Sequence, residues 1–229
     1  MIEERRVLGL ISARGGSKGL PGKNTLLFGD EPLIAHTINQ ANNSKYIDRL
    51  VLSSEDEDII KVAKKYNVDV PFERPKYLAK DSTSGLDVVL HAIKKISGYD
   101  IVVLLQPTSP LRISKDIDRC IEKLIYRKAN ACVTVTESSK SPNWMFQLSE
   151  DDKFVPVVKD QPLVTIRQDL PKTYAINGAV YVANIKWFIQ KKVFINDETV
   201  AHIMPLERSI DIDSKYDFMF AELLYKLKK

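Results

Sequence analysis

The run Ile101-Val102-Val103-Leu104-Leu105 constrains this chain most. It is apolar throughout, with Asp100 before it and Gln106-Pro107 after it. It is too short for a membrane span or an ordinary helix, and it lacks the alternation of a half-exposed strand. A strand of this kind is buried on both faces, which calls for a mostly parallel sheet covered by helices above and below. The rest of the chain agrees. Residues 7–12, 49–53, 68–72, 131–136 and 179–183 read as further strands, and 32–42, 57–66, 85–96, 114–127 and 214–227 as helices. Ile59, Ile60 and Ala63 share one helical face; Val88, Val89, Ile93 and Ile96 share another. This alternation predicts an α/β fold with helices on both faces of the sheet, and 229 residues suit one such domain. Residues 138–173 break the pattern: they hold several prolines, the acidic pair Asp151-Asp152 and no clean period. They read as an excursion from the sheet, a lid or a dimerisation arm.

Composition adds exclusions. The chain is 44% hydrophobic and 28% charged, as in ordinary globular proteins, and has no run of about 18 apolar residues. The opening Met1-Ile2-Glu3-Glu4-Arg5-Arg6 lacks the apolar stretch of a signal peptide, so a cytoplasmic protein is expected. A net charge of +4 is too mild to argue for nucleic acid, and neither a nucleic-acid nor a membrane partner is expected. Cys120 and Cys132 fall in no CxxC or Cys/His cluster and read as small buried side chains; His36, His91 and His202 show no metal-like spacing.

In parallel sheets ligands bind beyond the C-terminal strand ends. Directly after the first strand comes ISARGGSKGLPGKN, residues 11–24, with four glycines and three basic side chains. Such a segment is either a flexible surface loop or a phosphate cradle. In a cradle, bare backbone N–H groups approach phosphate oxygens while Arg14, Lys18 and Lys23 supply charge. It is not a P-loop: Ser17 stands where that motif needs its first glycine, and Asn24 where it needs Ser or Thr. Nor is it GxGxxG, and TLLFGDEP, with a turn at Gly29-Asp30, intervenes before any helix. A loop that holds a triphosphate without opening into a helix is the style of nucleotidyltransferases.

QPTSPLR, residues 106–112, follows the central strand on the same edge. It is either an ordinary strand-to-helix turn or a rigid loop that aims Gln106, Thr108 and Ser109 into a pocket. SIDID supplies Asp211 and Asp213, whose side chains point the same way in an extended segment and suit a hard cation such as Mg²⁺. The competing reading is that Asp213 or Ser214 caps the last helix. In RQDLPKTYAINGAVYV, the basic Arg167 and Lys172, with Gln168, suit an anionic sugar, whereas Asn177-Gly178 also reads as a tight turn.

In combination and in this order, ARGGSKGLPGKN, LLQPTSPLR, RQDLPKTY with NGAVYV, and SIDID resemble the acylneuraminate cytidylyltransferase family, or CMP-sialic acid synthetases, from about Val7 to Phe218. The resemblance implies a Rossmann-like nucleotidyltransferase fold and a homodimer whose arm reaches the partner's site. It also implies a reaction in which CTP and an acidic nine-carbon sugar give a CMP-sugar and pyrophosphate, with Mg²⁺. By matching position, Arg14 and Lys23 are expected at the triphosphate, beside Ala13 and the backbone of Gly15, Gly16 and Ser17. Asn24, Arg74 and Thr83 or Ser84 are expected at the nucleoside, Gln106 at the sugar, and Asp211 with Asp213 at the metal. The family often has Arg before Pro-Asn-Gly; here Tyr174-Ala175-Ile176 precedes Asn177-Gly178, and the missing charge bears on which sugar is used. N-acetylneuraminate is the first expected sugar and legionaminate or pseudaminate the next, a 3-deoxy-octulosonate is a weaker alternative, and a nucleotide-binding protein without turnover is the rival of another class.

Overall fold

The computed structural model of the chain describes residues 1–159 and 166–228. The central strand lies where the apolar run places it. A six-stranded sheet has the order β10-β6-β9-β5-β1-β4, built from β1 (Val7–Ser12), β4 (Arg49–Ser53), β5 (Ile101–Leu105), β6 (Ala131–Glu137), β9 (Tyr174–Asn184) and β10 (Val200–Ile203). A small hairpin of β2 (Leu27–Phe28) and β3 (Glu31–Pro32) precedes the first helix, and a second of β7 (Phe146–Leu148) and β8 (Phe154–Pro156) lies between β6 and β9. Helices α1 (Leu33–Asn42), α2 (Glu57–Lys65), α3 (Gly85–Lys95), α4 (Ser114–Tyr126), α5 (Ile185–Lys191) and α6 (Lys215–Lys226) complete the chain.

Side-chain alternation along the buried strands divides the core into two. Val7 and Ile11 of β1 and Ile101, Val103 and Leu105 of β5 face α1, α2 and α4, where Ile34, Ile38, Ile59, Ile117 and Leu124 pack. Leu8, Leu10, Val102 and Leu104 face the other way, toward Val89 and Ile93 of α3 and Trp187 and Phe188 of α5. Burial on both sides is why β5 shows no polar alternation. A third cluster, Phe28, Leu33, Leu111, Ile212 and Ala221, packs α6 against the β2–β3 hairpin and draws the SIDID segment toward the first loop. Cys120 and Cys132 are fully buried, with their thiol sulfurs 3.2 Å apart.

Three features depart from expectation. Residues 68–72 form no strand: a single bridge joins Asp69 to Val51, and Pro71, without an N–H, follows. Strand β9 begins at Tyr174, five residues earlier than expected, and runs antiparallel to both neighbours. The reason is topological. β6 ends at the C-terminal edge of the sheet, the excursion departs from that edge, and Ser138 N–H bonds the Thr173 carbonyl at 2.8 Å where it returns. A strand that starts from that edge can only run back. Finally, α5 and the edge strand β10 do not stand out in the sequence pattern.

Candidate active site

A cleft of about 500 Å³ opens beyond the C-terminal ends of β1 and β5. The chain passes from β1 to β4 on one side and later returns to β5 on the other, so this is the point where the winding reverses and where α/β sheets bind ligands. Ala13, Arg14, Ser17, Lys23 and Asn24 line it from the first loop, Arg74 and Thr83 from the segment before α3, Gln106 and Thr108 from the third loop, and Asp213 from SIDID.

The first loop is held by specific bonds. Asn24 is buried and donates from Nδ2 to the Arg14 carbonyl at 3.0 Å. Lys23 extends its ammonium to the Ile212 carbonyl at 2.7 Å and to Asp213 Oδ1 at 3.3 Å, tying residues 23 and 213 across the fold. Gly19 passes so near the Asp213 carbonyl that any Cβ would collide with it, which explains a glycine there. The Gly15 N–H, expected to face phosphate, donates instead to Glu55 Oε1 at 2.9 Å. Gly16 has open space beside it.

Arg14, Lys18, Lys23 and Arg74 of the cleft each have an acid partner. Arg14 Nη2 lies 2.8 Å from Asp81 Oδ1, and Lys18 Nζ 2.6 Å from Asp81 Oδ2. The hydrogen bond from Lys18 is the main reason the Asp81 carboxyl is held below its usual pKa, with both positive charges helping. Arg74 is 3% exposed and donates to Ser53 Oγ at 3.1 Å and Ser12 Oγ at 2.9 Å, with Glu55 Oε2 at 3.8 Å from Nη1. Burial lowers its pKa to about 10 against the raising effect of Glu55.

Asp211 does not itself line the cleft but lies near Gln106, which does. Ile212 is fully buried and Asp213 is exposed, whereas Asp211 is half-buried. A Cβ built on Gly178 would stand 3.2 Å from Asp211 Oδ2 and 3.3 Å from Gln106 Oε1, so both side chains approach Gly178. Asp211 Oδ1 is buried and has no hydrogen-bond partner. Burial raises the Asp211 pKa, the Asp213 charge adds to this, and the Thr108 hydroxyl opposes it. An orphaned buried oxygen and a second nearby acid fit a hard divalent cation. Among the described residues no group of three or more potential ligands exists, so two carboxylates would share such an ion with substrate oxygens and water.

Other expected site residues stand elsewhere. Ser84 caps α3, accepting from Leu86 N–H at 3.2 Å, and leaves the cleft to Thr83. Ser109 is fully buried and does not face the cleft. Asn177 is 5% exposed; its Nδ2 donates to Ser209 Oγ at 2.9 Å and its Oδ1 accepts from Ala179 N–H at 3.2 Å. Asn177 does not line this cleft, and Asn177-Gly178 is not a tight turn. It is an irregularity inside β9 opposite the register shift between Val133 and Val135, with Gly178 at φ +71°. Gln168 and Lys172 line a separate hollow at the root of the excursion with Ser138, Trp144 and Thr173, and Lys172 pairs with Glu137 at 3.1 Å. Arg167 stands in a short 3-10 turn, and its side chain lies outside the described residues. Ser214 does cap α6: its Oγ accepts from Asp217 N–H, while the Asp217 carboxylate takes the Ser214 N–H at 2.7 Å.

Sequence reasoning missed Glu55, Asp81 and Ser12. Glu55 was within reach, since Ser54-Glu55-Asp56 follows the strand β4 on the cleft edge; Asp81 follows Lys80 with no pattern to single it out.

The fold and the site define a nucleotide-handling α/β protein, and comparison with known proteins narrows the class. A solved structure described as CMP:2-keto-3-deoxy-manno-octonic acid synthetase complexed with CTP superposes with a TM-score of 0.74 over 98% of this chain and all of that one, at 12% identity. The 4-diphosphocytidyl-2C-methyl-D-erythritol synthase of Anaerococcus prevotii superposes with a TM-score of 0.69 over 100% of this chain and 98% of the other, at 17% identity. At such identities these likenesses speak for the fold, which is of Rossmann-like nucleotidyltransferase type. The family described as Cytidylyltransferase matches residues 8–217, and the chain belongs to it. Its curated relatives include the CMP-N,N'-diacetyllegionaminic acid synthase of Legionella pneumophila, 34% identical over 98% of both chains. A pseudaminic acid cytidylyltransferase of Campylobacter jejuni is 35% identical over 95% of both. The N-acylneuraminate cytidylyltransferase of Escherichia coli is 30% identical over 97% of this chain, which spans 53% of that longer protein.

Proposed function

We propose that the protein activates a nonulosonic acid: CTP and the sugar acid give the CMP-sugar and pyrophosphate. The observation that carries this reading is the cleft itself, which joins the basic first loop to Gln106 and Asp213, with the unpartnered Asp211 Oδ1 buried close by. Arg14, Lys18 and Lys23 would exchange their present acid partners for the triphosphate, an exchange of one charge-assisted bond for another. Arg74, Asn24 and Thr83 would hold the nucleoside. Gln106 would hydrogen-bond the sugar so that its anomeric hydroxyl faces the α-phosphorus in line. The bond formed is from that oxygen to the α-phosphorus, and the bond broken is from the α-phosphorus to the pyrophosphate oxygen. Positioning and charge stabilisation are then most of the work. Asp211 and Asp213 would hold Mg²⁺, which when bound polarises the phosphate and neutralises its developing charge.

The excursion supports a homodimer. Trp144, Met145, Phe146, Leu148, Phe154 and Val155 are all more than a third exposed on and beside a two-stranded hairpin, and such a hairpin is marginal without cover. A second copy would supply that cover, and Arg167, Gln168 and Lys172 would serve its cleft rather than their own. Residues 138–173 would thus be an arm inserted in one cytidylyltransferase domain. No helix among the described residues is long and apolar enough to cross a membrane, and we assign the reaction to the cytoplasm, where CTP is made.

The test is pyrophosphate release with CTP and Mg²⁺ across N-acetylneuraminate, legionaminate, pseudaminate, a 3-deoxy-octulosonate and no sugar. Release with one nine-carbon acid is the expected result and names the substrate. CTP binding without release on any sugar would overturn the reading in favour of a binding protein.

A further inference from the structure

Arg112, the last residue of the QPTSPLR loop, turns back beneath it. It is 1% exposed and heads the largest fully buried side chains. Its Nη1 donates to the Ala179 carbonyl at 2.7 Å and the Gln106 carbonyl at 3.2 Å, and its Nη2 donates to Thr37 Oγ1 at 2.6 Å. Its Nε has no partner. The acid whose field it feels is Asp116, already engaged by Arg208 at 2.8 Å. A guanidinium held by neutral oxygens in the interior carries a large desolvation penalty, and a Leu or Met would fill the space without it. Packing alone therefore does not account for an arginine here.

What it joins does. Gln106 ends β5, Ala179 follows the Gly178 irregularity of β9, and Thr37 belongs to α1. The first two frame the place where Gln106 Oε1 and Asp211 Oδ2 both approach Gly178. β5 and β9 are paired in register only as far as Leu105 and Val180, so the backbone beyond that pair relies on other bonds. The nucleotide end of the cleft, by contrast, is held by separate bonds from Glu55, Asn24 and Lys23.

We propose that Arg112 is a positioning residue: it clamps the carbonyls of Gln106 and Ala179 and so fixes the Gln106 amide beside Asp211 for the sugar acid, without touching substrate. The inference rests on the function proposed above and adds a residue that acts on one substrate only.

The experiment compares wild type, Arg112→Met, Arg112→Lys and Thr37→Val as full-length proteins. CTP affinity is measured by calorimetry without sugar, and KM for the sugar acid by pyrophosphate release. Arg112→Met is expected to raise sugar KM at least about tenfold while CTP affinity stays within about twofold. Arg112→Lys, which keeps a charge and a donor, should recover part of the loss, and Thr37→Val should shift sugar KM in the same direction by less. Equal losses for CTP and sugar, or an unchanged sugar KM, would overturn the proposal. Should Arg112→Met fail to fold, Thr37→Val and Arg112→Lys decide by the same split. Wild type that binds CTP but turns over no sugar acid would instead sink the proposed function, and this inference with it.

Discussion

Replacing Gly178 with alanine separates backbone strain from site geometry. Gly178 has φ +71°, a region that costs an L-residue about 1–2 kcal/mol. For a chain of this length each kcal/mol lowers Tm by about 2–4 °C, so strain alone predicts a loss of roughly 2–8 °C. A second term is local. The new Cβ would stand 3.2 Å from Asp211 Oδ2 and 3.3 Å from Gln106 Oε1, so both side chains must yield by a few tenths of an ångström. A misplacement of about 1 Å near the chemistry can lower a rate about 100-fold, so a fraction of that predicts roughly a tenfold loss. Gly98 is the control. It has φ +85°, lies between α3 and β5 at the opposite edge of the sheet, and its Cβ would meet only the Arg6 guanidinium at 3.3 Å. Both alanine variants should lose similar Tm, but only Gly178→Ala should lose pyrophosphate release, measured well below either melting point. Equal activity in the two variants would refute the argument that the Gln106 and Asp211 side chains beside Gly178 serve the reaction.

Asp211→Asn should raise stability while abolishing most turnover. Burial lifts the folded Asp211 pKa above its usual 3.8, so the ionised side chain weakens the fold at neutral pH, and its contribution is fully favourable only below that value. Tm at pH 7 without metal should therefore exceed wild type, converge with it in acid, and no longer rise with Mg²⁺; a lower Tm at pH 7 would contradict this. Glu55→Gln should lower stability by about 1–2 kcal/mol, the difference between a charged and a neutral hydrogen bond to Gly15 N–H, and should weaken CTP binding with little change in sugar KM. Calorimetry with CTP checks it. Asp116 is 1% exposed; burial would raise its pKa, but the His202 ring, Arg208 and Ile113 N–H hold it well below the carboxylate range. Its stabilisation is present above pH 3.8 and lost as pH falls below that value, so Asp116→Asn should be about 3–5 kcal/mol less stable at pH 7 and less sensitive to acid in denaturant titrations.

The alternation of elements was legible because β1, β4 and β5 are buried on both faces and their helices are amphipathic, so each period showed plainly. β10 was not, because a four-residue edge strand with intermediate and exposed positions has no contrast to display. α5 was not, because its seven residues start directly from β9 with no side-chain cap. The same division holds for the site. Strand order alone sends residues 13–24 and 106–112 to one edge, which is why Arg14, Lys23, Asn24, Gln106 and Thr108 meet in one cleft. Where the excursion points is a tertiary matter, so the nearness of Gln168 and Lys172 in sequence to β9 gave no warning that they lie in another hollow.

Residue type also says nothing of who neutralises whom. The basic side chains of the cleft read in sequence as bare attraction for phosphate, yet Asp81 holds Arg14 and Lys18, Asp213 holds Lys23, and Glu55 lies against Arg74. A triphosphate must displace carboxylates from the first three. The net gain is then the difference between two sets of charge-assisted bonds, smaller than the count of cations implies. The cation freed from that exchange furthest from solvent is Lys23, 12% exposed and bonded to the Ile212 carbonyl between the two acids of SIDID. Any metal held by those acids would compete with Lys23 for Asp213, so metal and triphosphate would favour each other: the phosphates draw Lys23 away, and Asp213 turns to the metal. CTP affinity should therefore rise with Mg²⁺ in wild type by more than in Lys23→Met, and an equal rise in both would break that link.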